Sequence, residues 1–165
     1  MPSVTVRTAT PADIDTVRAL AARAWCDAYA DILEPETIDA AIDEWYDTDT
    51  LRDSLDEADA TFYVAEGGSI VGFLRGGLGE EVAYLGAIYA DPDRLGEGIG
   101  SQLLDRFEGF CADHGYDAIE LAVLAGNDVG RSFYRARGYE LVADREVDLF
   151  GETVADSVFR GSVRD

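Results

Sequence analysis

The sequence contains no lysine, one histidine and two cysteines among its 165 residues. Without lysine the chain cannot complete the loop of P-loop nucleotide-binding proteins, which needs a lysine after its last glycine. A single histidine, His114, excludes zinc sites built on pairs of histidines. The two cysteines, Cys26 and Cys111, lack the spacing of metal ligands, and we expect both to be buried, reduced thiols.

Long apolar runs and a leader segment are also missing. No run approaches the roughly 20 apolar residues that a membrane-spanning helix needs, and no basic and apolar signal sequence opens the chain. We therefore expect a cytoplasmic protein without a membrane partner. The length favours a single domain, residues 1–165, and a hydrophobic content of 47% is enough for a core.

The charge is strongly one-sided, with 34 acidic residues against 13 basic residues, all of them arginine, and a net charge of −21. Such a surface disfavours binding to nucleic acid. At about 1 M salt the Debye length falls to about 3 Å, so most of the self-repulsion would be screened. Many acids without any lysine are typical of proteins from halophiles that accumulate salt. We therefore expect a halophilic protein. Its negative charge would be an adaptation to a salt-rich solvent and would not indicate the substrate.

The stretch from Leu85 to Phe110 predicts a strand, a loop and a helix. An apolar run over residues 85–90 is typical of a buried strand, and Pro92 ends it. Apolar residues then recur at helical spacing after three glycines at alternate positions, Gly96, Gly98 and Gly100. The free amides and the dipole at a helix start favour negative charge, so this loop predicts a phosphate site. It is not the dinucleotide fingerprint, because Leu103 stands where the third glycine is required.

A second pattern covers residues 127–139 and reads NDVGRSFYRARGY. It predicts a helix that Gly138 ends in the left-handed conformation. Tyr134 lies about 100° around this helix from Phe133, off the apolar stripe. The two patterns resemble motif A, [QR]-x-x-G-x-[GA], and motif B, N-x-x-[AG]-x-x-[FL]-Y-x-x-x-G-[FY], of the GCN5-related N-acetyltransferase (GNAT) family. Motif B fits at every key position, whereas in motif A Leu95 replaces Gln or Arg and Glu97 stands where a basic residue is common.

The resemblance covers the whole chain and implies a mixed α/β fold. The expected architecture is a twisted, mostly antiparallel central sheet of six to seven strands flanked by about four helices. The central strand of this family bulges and splays away from its neighbour, and Gly86 within the predicted strand is consistent with a bulge. The implied activity is transfer of an acetyl group from acetyl-CoA to a primary amine, without a metal.

The resemblance also implies the residues of the site. Tyr134 would be the general acid that protonates the leaving thiolate, and Glu80 or Glu81 would be the general base. Three aromatic residues would form the wall on the acceptor side, namely Trp25, Tyr29 and Tyr84. The residues that would bind the cosubstrate are Ile88, Tyr89, Ala90, Arg94, Leu95, Gly96, Glu97, Gly98, Ile99, Gly100, Ser101, Asn127, Arg131 and Tyr134.

Several alternatives stay open at the level of the sequence. The acceptor is a small-molecule or a peptide amine, and the donor is acetyl-CoA or a longer acyl-CoA. A homodimer and a monomer are both compatible with the composition. The alternative function is a non-catalytic module that binds acyl-CoA as a sensor, although a tyrosine at position 134 favours the enzyme.

Overall fold

The computed structural model describes residues 4–94 and 96–163, which form one seven-stranded sheet with helices on both faces. The strands are β1 (Thr5–Thr8), β2 (Ala60–Glu66), β3 (Ile70–Leu78), β4 (Ala83–Ala90), β5 (Ala118–Leu124), β6 (Glu140–Leu149) and β7 (Glu152–Ser162). The helices are α1 (Ile14–Tyr29), α2 (Pro35–Trp45), α3 (Thr48–Leu55), α4 (Ile99–Asp113) and α5 (Asp128–Ala136). Short 3₁₀ turns precede α1 and α4, at Pro11–Asp13 and Pro92–Arg94.

The sheet order is β1-β2-β3-β4-β5-β7-β6. Only β4 and β5 are parallel, and all other neighbours are antiparallel. The parallel pair is connected by α4, as a crossover between parallel strands requires. The expected mixed, mostly antiparallel sheet is therefore confirmed, with five helices instead of about four.

Helix α3 is the element that the sequence did not predict, because the stretch from Asp47 to Ala60 is acidic and has little apolar periodicity. Two local features stabilise it. The Asp47 carboxylate accepts a hydrogen bond from the Asp49 amide at 3.2 Å and caps the helix. Leu51 is fully buried against the sheet layer, and Leu55, one turn later, is partly buried against the same core, so two leucines anchor the helix.

The core is divided between the two faces of the sheet. On one face, α4 buries a row of apolar side chains, Leu103, Leu104 and Phe107, against β3 and β4. On the other face, α1, α2 and α3 pack over Phe62 and Phe73. Cys111 is buried in the first layer as expected, but Cys26 is exposed, which corrects the prediction. It follows Trp25 on α1, and the rotation of about 100° per residue turns it to solvent while Trp25 is buried.

The centre of the sheet is opened at β4. The register between β3 and β4 shifts after Arg75, which pairs with Ala87, while Gly76 pairs with Leu85, so Gly86 is the extra residue of a bulge. The ladder between β4 and β5 consists of three residue pairs, the last of them Leu85 with Leu121. Beyond that pair the two strands diverge, and the predicted bulge and splay are both confirmed. No helix among the described residues is long and apolar enough to cross a membrane.

Candidate active site

A cavity of about 590 Å³ occupies the gap between β4 and β5, and we call it the larger cavity. Its walls are the second half of β4, the end of β5, the C-terminal turn of α1, the loop before α4 and the first turns of α4 and α5. These segments lie far apart in the sequence, and the divergence of the two strands brings them together. The larger cavity includes most of the residues that the sequence predicts for the cosubstrate.

The glycine loop forms one end of the larger cavity. Gly96 and Gly98 have φ values of +83° and +82°, in the left-handed region that glycine adopts without strain. The first hydrogen bond of α4 runs from the Gln102 amide to the Gly98 carbonyl. The amides at the start of α4 therefore precede the helix ladder, and residues 98–101 line the cavity. This arrangement is suited to binding an anion through backbone N–H groups.

The cation of this loop is held by an acid of the same loop. Arg94 lines the larger cavity, and its Nε donates a hydrogen bond to Oε1 of Glu97 at 2.8 Å. Both side chains are partly exposed, so the pair can open when a stronger anion arrives. Leu95, which the sequence assigns to the same loop, lies outside the described residues.

The second half of β4 offers a free backbone edge to the larger cavity. Ile88, Tyr89 and Ala90 pair with β3 on one side, and the β4–β5 ladder in the described residues ends at Leu85. All three residues line the cavity. An extended ligand with amide groups can pair with such an edge as an added strand would.

Tyr134 lies in the wall of the larger cavity and is 8% exposed. Its ring packs against Phe133, Tyr139 and Phe159. We expected this residue to lie off the apolar stripe of its helix, but it belongs to the core, because α5 turns this side toward β7. Burial raises the pKa of Tyr134 well above its ordinary value, and neighbouring Tyr29 raises it further. The phenol therefore keeps its proton and can act as a donor toward the cavity.

Two further tyrosines meet in the same cavity. The hydroxyls of Tyr29 and Tyr89 are hydrogen-bonded at 2.9 Å, and Nδ2 of Asn127 donates a long bond of 3.5 Å to the Tyr29 hydroxyl. Oδ1 of Asn127 accepts from the Gly130 amide at 3.0 Å and caps α5. Burial raises the pKa of both Tyr29 and Tyr89. From the sequence we expect only the backbone of Tyr89 to contact the cosubstrate. A position in a strand does not indicate that the side-chain hydroxyl reaches α1.

Other predicted site residues lie elsewhere. Glu80 and Glu81 are not in β4 but in the turn before it, and they line neither of the cavities described. The turn forms because the Gly79 amide binds the Val82 carbonyl at 3.0 Å, and a Cβ on Gly79 would lie 2.6 Å from that oxygen. Arg131 donates to the Ala125 carbonyl at 3.1 Å and does not line the larger cavity.

The three aromatic residues of the predicted acceptor wall lie in three different places. Tyr29 lines the larger cavity. Trp25 is 6% exposed and packs in the core between Tyr29, Trp45 and Tyr46. Tyr84 is 48% exposed and lines a different, smaller cavity on the side of α2 and α3. The structure therefore brings only Tyr29 to the gap between β4 and β5.

Comparison with known proteins agrees with this geometry. The model of the acetyltransferase (GNAT) family matches residues 22–139. A solved structure of the PaiA N-acetyltransferase from Thermoplasma acidophilum in complex with coenzyme A is similar at 25% identity and a TM-score of 0.85, covering 97% of this chain and 99% of that one. A GCN5-related N-acetyltransferase from Rhodopseudomonas palustris is similar at 22% identity and a TM-score of 0.82, with 98% of each chain covered.

A third solved structure has a similar fold at a lower sequence identity. The ribosomal-protein-S18-alanine N-acetyltransferase from Escherichia coli is 16% identical, with a TM-score of 0.74 over 99% of this chain and 96% of that one. At this identity the likeness concerns the fold alone. A search of the curated proteins finds no match.

Proposed function

Because the chain belongs to the acetyltransferase (GNAT) family, we propose that it is an N-acetyltransferase that moves an acetyl group from acetyl-CoA to a primary amine. The observation that carries the proposal is the free edge of β4 beside the glycine loop, at residues 88–90, 96 and 98–101, in one cavity of about 590 Å³. That edge suits an extended arm with amides, and that loop suits a diphosphate. Coenzyme A contains both groups in this order. The coenzyme A complex of the similar Thermoplasma enzyme supports the same ligand.

The position of the donor follows from these two features. The diphosphate would lie on the amides of residues 98–101, and Arg94 would exchange Glu97 for a phosphate oxygen. The arm would pair with Ile88 to Ala90, so the thioester would lie between β4 and α5, near Tyr134 and Asn127. Holding donor and amine together in this way removes several kcal/mol from the barrier.

The proposed reaction is a direct transfer. The amine nitrogen attacks the thioester carbonyl, a C–N bond forms, and the C–S bond breaks to release a thiolate. Tyr134 would donate its proton to that thiolate and recover a proton from water. The amine would lose its extra proton to solvent or to an acid at the cavity wall, where Asp27 is exposed. The acceptor is a small molecule or a peptide with a primary amine.

A panel of amines with acetyl-CoA in molar KCl tests the proposal by following the release of free thiol. We expect turnover with at least one class of amine and acetylated product confirmed by mass spectrometry. Binding of acetyl-CoA is measured in parallel by calorimetry. If acetyl-CoA binds tightly but no amine across a broad panel is acetylated, the protein is a sensor of acyl-CoA and the enzyme proposal is wrong.

We also propose that the chain is halophilic, from its net charge of −21 and its lack of lysine. Self-repulsion among 34 acids is large in dilute buffer and is mostly screened at about 1 M salt. Circular dichroism along a KCl titration should show folding between about 0.1 and 2 M salt. Full stability at about 50 mM KCl would contradict this proposal without affecting the proposed reaction.

A further inference from the structure

A smaller cavity of about 220 Å³ lies beside the larger one, on the side of α2 and α3. The two cavities share Gly86 and Ala87, the residues at the bulge of β4. The smaller cavity therefore opens next to the strand along which the donor arm would lie. A molecule held in it would have one end within reach of the proposed thioester.

The smaller cavity has three aromatic residues in its walls, and its polar lining consists of one cation, one acid and three hydroxyl side chains, namely Arg75, Glu57, Thr50, Ser54 and Thr61. Trp45, Tyr46 and Tyr84 line it, and Arg75 projects into it from β3. Nη1 of Arg75 donates to the Trp45 carbonyl at 3.2 Å and Nη2 donates to the Ser54 hydroxyl at 3.2 Å. Its Cζ lies 5.8 Å from the centre of the Tyr46 ring. These contacts orient the guanidinium but leave several of its five N–H donors without a described acceptor.

Among the described residues, Arg75 has no carboxylate within ion-pair distance, although Glu57 lines the same cavity. Seven arginines form ion pairs with carboxylates of the described residues, namely Arg7, Arg18, Arg23, Arg94, Arg137, Arg145 and Arg160. Arg75 forms none within the described part of the chain, although acids outnumber arginines 34 to 13. It is also half-buried. A cation that is partly removed from water without a counter-ion is costly, and a bound anion would offset that cost.

We propose that the smaller cavity binds the carboxylate of the acceptor, so that the preferred substrates are amines that carry a carboxylate and an apolar or aromatic body. This inference rests on the proposed function. A carboxylate matches the planar fork of a guanidinium and can accept two parallel hydrogen bonds from it. The apolar body would lie against Trp45 and Tyr84, which are 41% and 48% exposed.

The shared wall of the two cavities favours a short acceptor. Arg75 pairs with Ala87 across the ladder, and Ala87 lines both cavities. We therefore expect the amine of a preferred acceptor to lie close to its carboxylate. A phosphate fits this place less well, because a single arginine would face its two charges, and Glu57, an exposed acid, also lines the cavity.

Matched pairs of amines test the inference, since they differ only in the carboxylate. Phenylalanine is compared with phenethylamine, and tryptophan with tryptamine, each with acetyl-CoA in molar KCl. For the parent protein we expect kcat/KM to be at least about tenfold higher for the amino acid of each pair. Arg75→Gln should remove this preference by raising KM for the amino acids, with little change for the decarboxylated amines. Arg75→Lys should restore part of it.

Arg52→Gln is the control, because Arg52 is an exposed arginine on α3 that lines neither cavity. It should keep the parent's preference. Circular dichroism and the affinity for acetyl-CoA show whether Arg75→Gln is folded. If the parent acetylates both members of each pair equally well, or Arg75→Gln keeps the preference, the inference is overturned while the acetyltransferase proposal stands.

A binding measurement separates the two proposals further. 3-Phenylpropionate has the carboxylate and the ring but no amine, and 2-phenylethanol lacks the charge. The tryptophans of the chain are Trp25 and Trp45, so quenching of the fluorescence reports binding beside Trp45. We expect 3-phenylpropionate to bind at least about tenfold more tightly to the parent than to Arg75→Gln, and 2-phenylethanol to bind both equally. If 3-phenylpropionate shows this difference but no amine is acetylated, the carboxylate site stands and the proposed reaction is refuted. If 3-phenylpropionate binds the parent and Arg75→Gln equally well, the carboxylate site is refuted.

Discussion

The larger and the smaller cavity meet at the bulge of β4 but are built from different parts of the polypeptide. In the larger cavity the groups proposed to hold the donor are backbone groups, namely the edge of residues 88–90 and the amides of residues 98–101. The smaller cavity presents side chains, with Arg75, Trp45 and Tyr84 reaching it from three separate elements. The first arrangement depends on glycines and strand geometry, and the second depends on the identity of each side chain. We therefore expect the donor site to be general and the acceptor site to be particular to this protein.

Tyr134 is the side chain on which the proposed reaction depends most, and Tyr134→Phe should have the largest effect. We expect kcat to fall by about 10²-fold, in the lower part of the range for loss of one proton donor. The affinity for acetyl-CoA should stay nearly unchanged, because the loop and the β4 edge are intact. Since burial raises the pKa of Tyr134 above its ordinary value of about 10, its ionisation should cause no loss of activity below about pH 10.

Tyr139→Phe is the matched control for this variant. Tyr139 is a buried neighbour that does not line the larger cavity, and its hydroxyl donates to Oε2 of Glu108 at 2.9 Å. Its loss should lower stability and leave the chemical step unchanged. Equal rates for Tyr134→Phe and the parent in single-turnover experiments would show that the thiolate leaves without Tyr134.

Gly98→Val tests whether the larger cavity depends on backbone conformation. The positive φ of Gly98 is costly for a residue with a side chain, by about 1–2 kcal/mol, and more when the residue is β-branched. A Cβ on residue 98 would meet no atom within 4 Å, so any loss of affinity for acetyl-CoA would come from a changed loop conformation and not from a clash. Calorimetry should show an affinity for acetyl-CoA that is at least about tenfold weaker.

Gly109→Ala is the control on the same helix, because a Cβ at position 109 also meets nothing within 4 Å. In the middle of α4 this change should stabilise the fold by up to about 1 kcal/mol and leave acetyl-CoA binding unchanged. If both glycine variants bind acetyl-CoA as the parent does, the loop does not hold the diphosphate.

Glu97→Gln should have the smallest effect, in the opposite direction. It frees Arg94 from the 2.8 Å ion pair and removes a negative charge from the place where phosphates would bind. We expect acetyl-CoA to bind about threefold more tightly at 0.5 M KCl, with a smaller gain at 3 M because salt screens the charge. Asp113→Asn removes the same charge from the exposed far end of α4 and should change nothing. An equal gain in both variants would assign the effect to net charge alone.

The sequence predicts residues that stand close together along the chain better than residues that meet from distant segments. Gly98, Asn127 and Tyr134 stand at fixed spacing within one loop or one helix, so a short pattern identifies them. Arg75 and the hydroxyl of Tyr89 act through partners from distant segments, and no spacing within a strand indicates such a contact. The family resemblance implies a general base at Glu80 or Glu81, but the tight turn at Gly79 delays the strand to Ala83 and leaves both acids in the turn. The sequence does not predict helix α3, because its apolar side chains are only Leu51 and Leu55, too few to show a helical period.

The short ladder between β4 and β5 divides the sheet into two blocks, four strands on one side and three on the other, joined by three residue pairs. The apolar side chains beneath α4 join the two blocks as well, but few backbone hydrogen bonds cross the seam, so we expect amides along it to exchange faster than those inside either block. A ligand that fills the seam as an added strand would clamp the blocks together. At a concentration of one hundred times its Kd it would add about 2.7 kcal/mol to the free energy of unfolding. The lifetime of the protein in the cell would then follow the supply of acetyl-CoA.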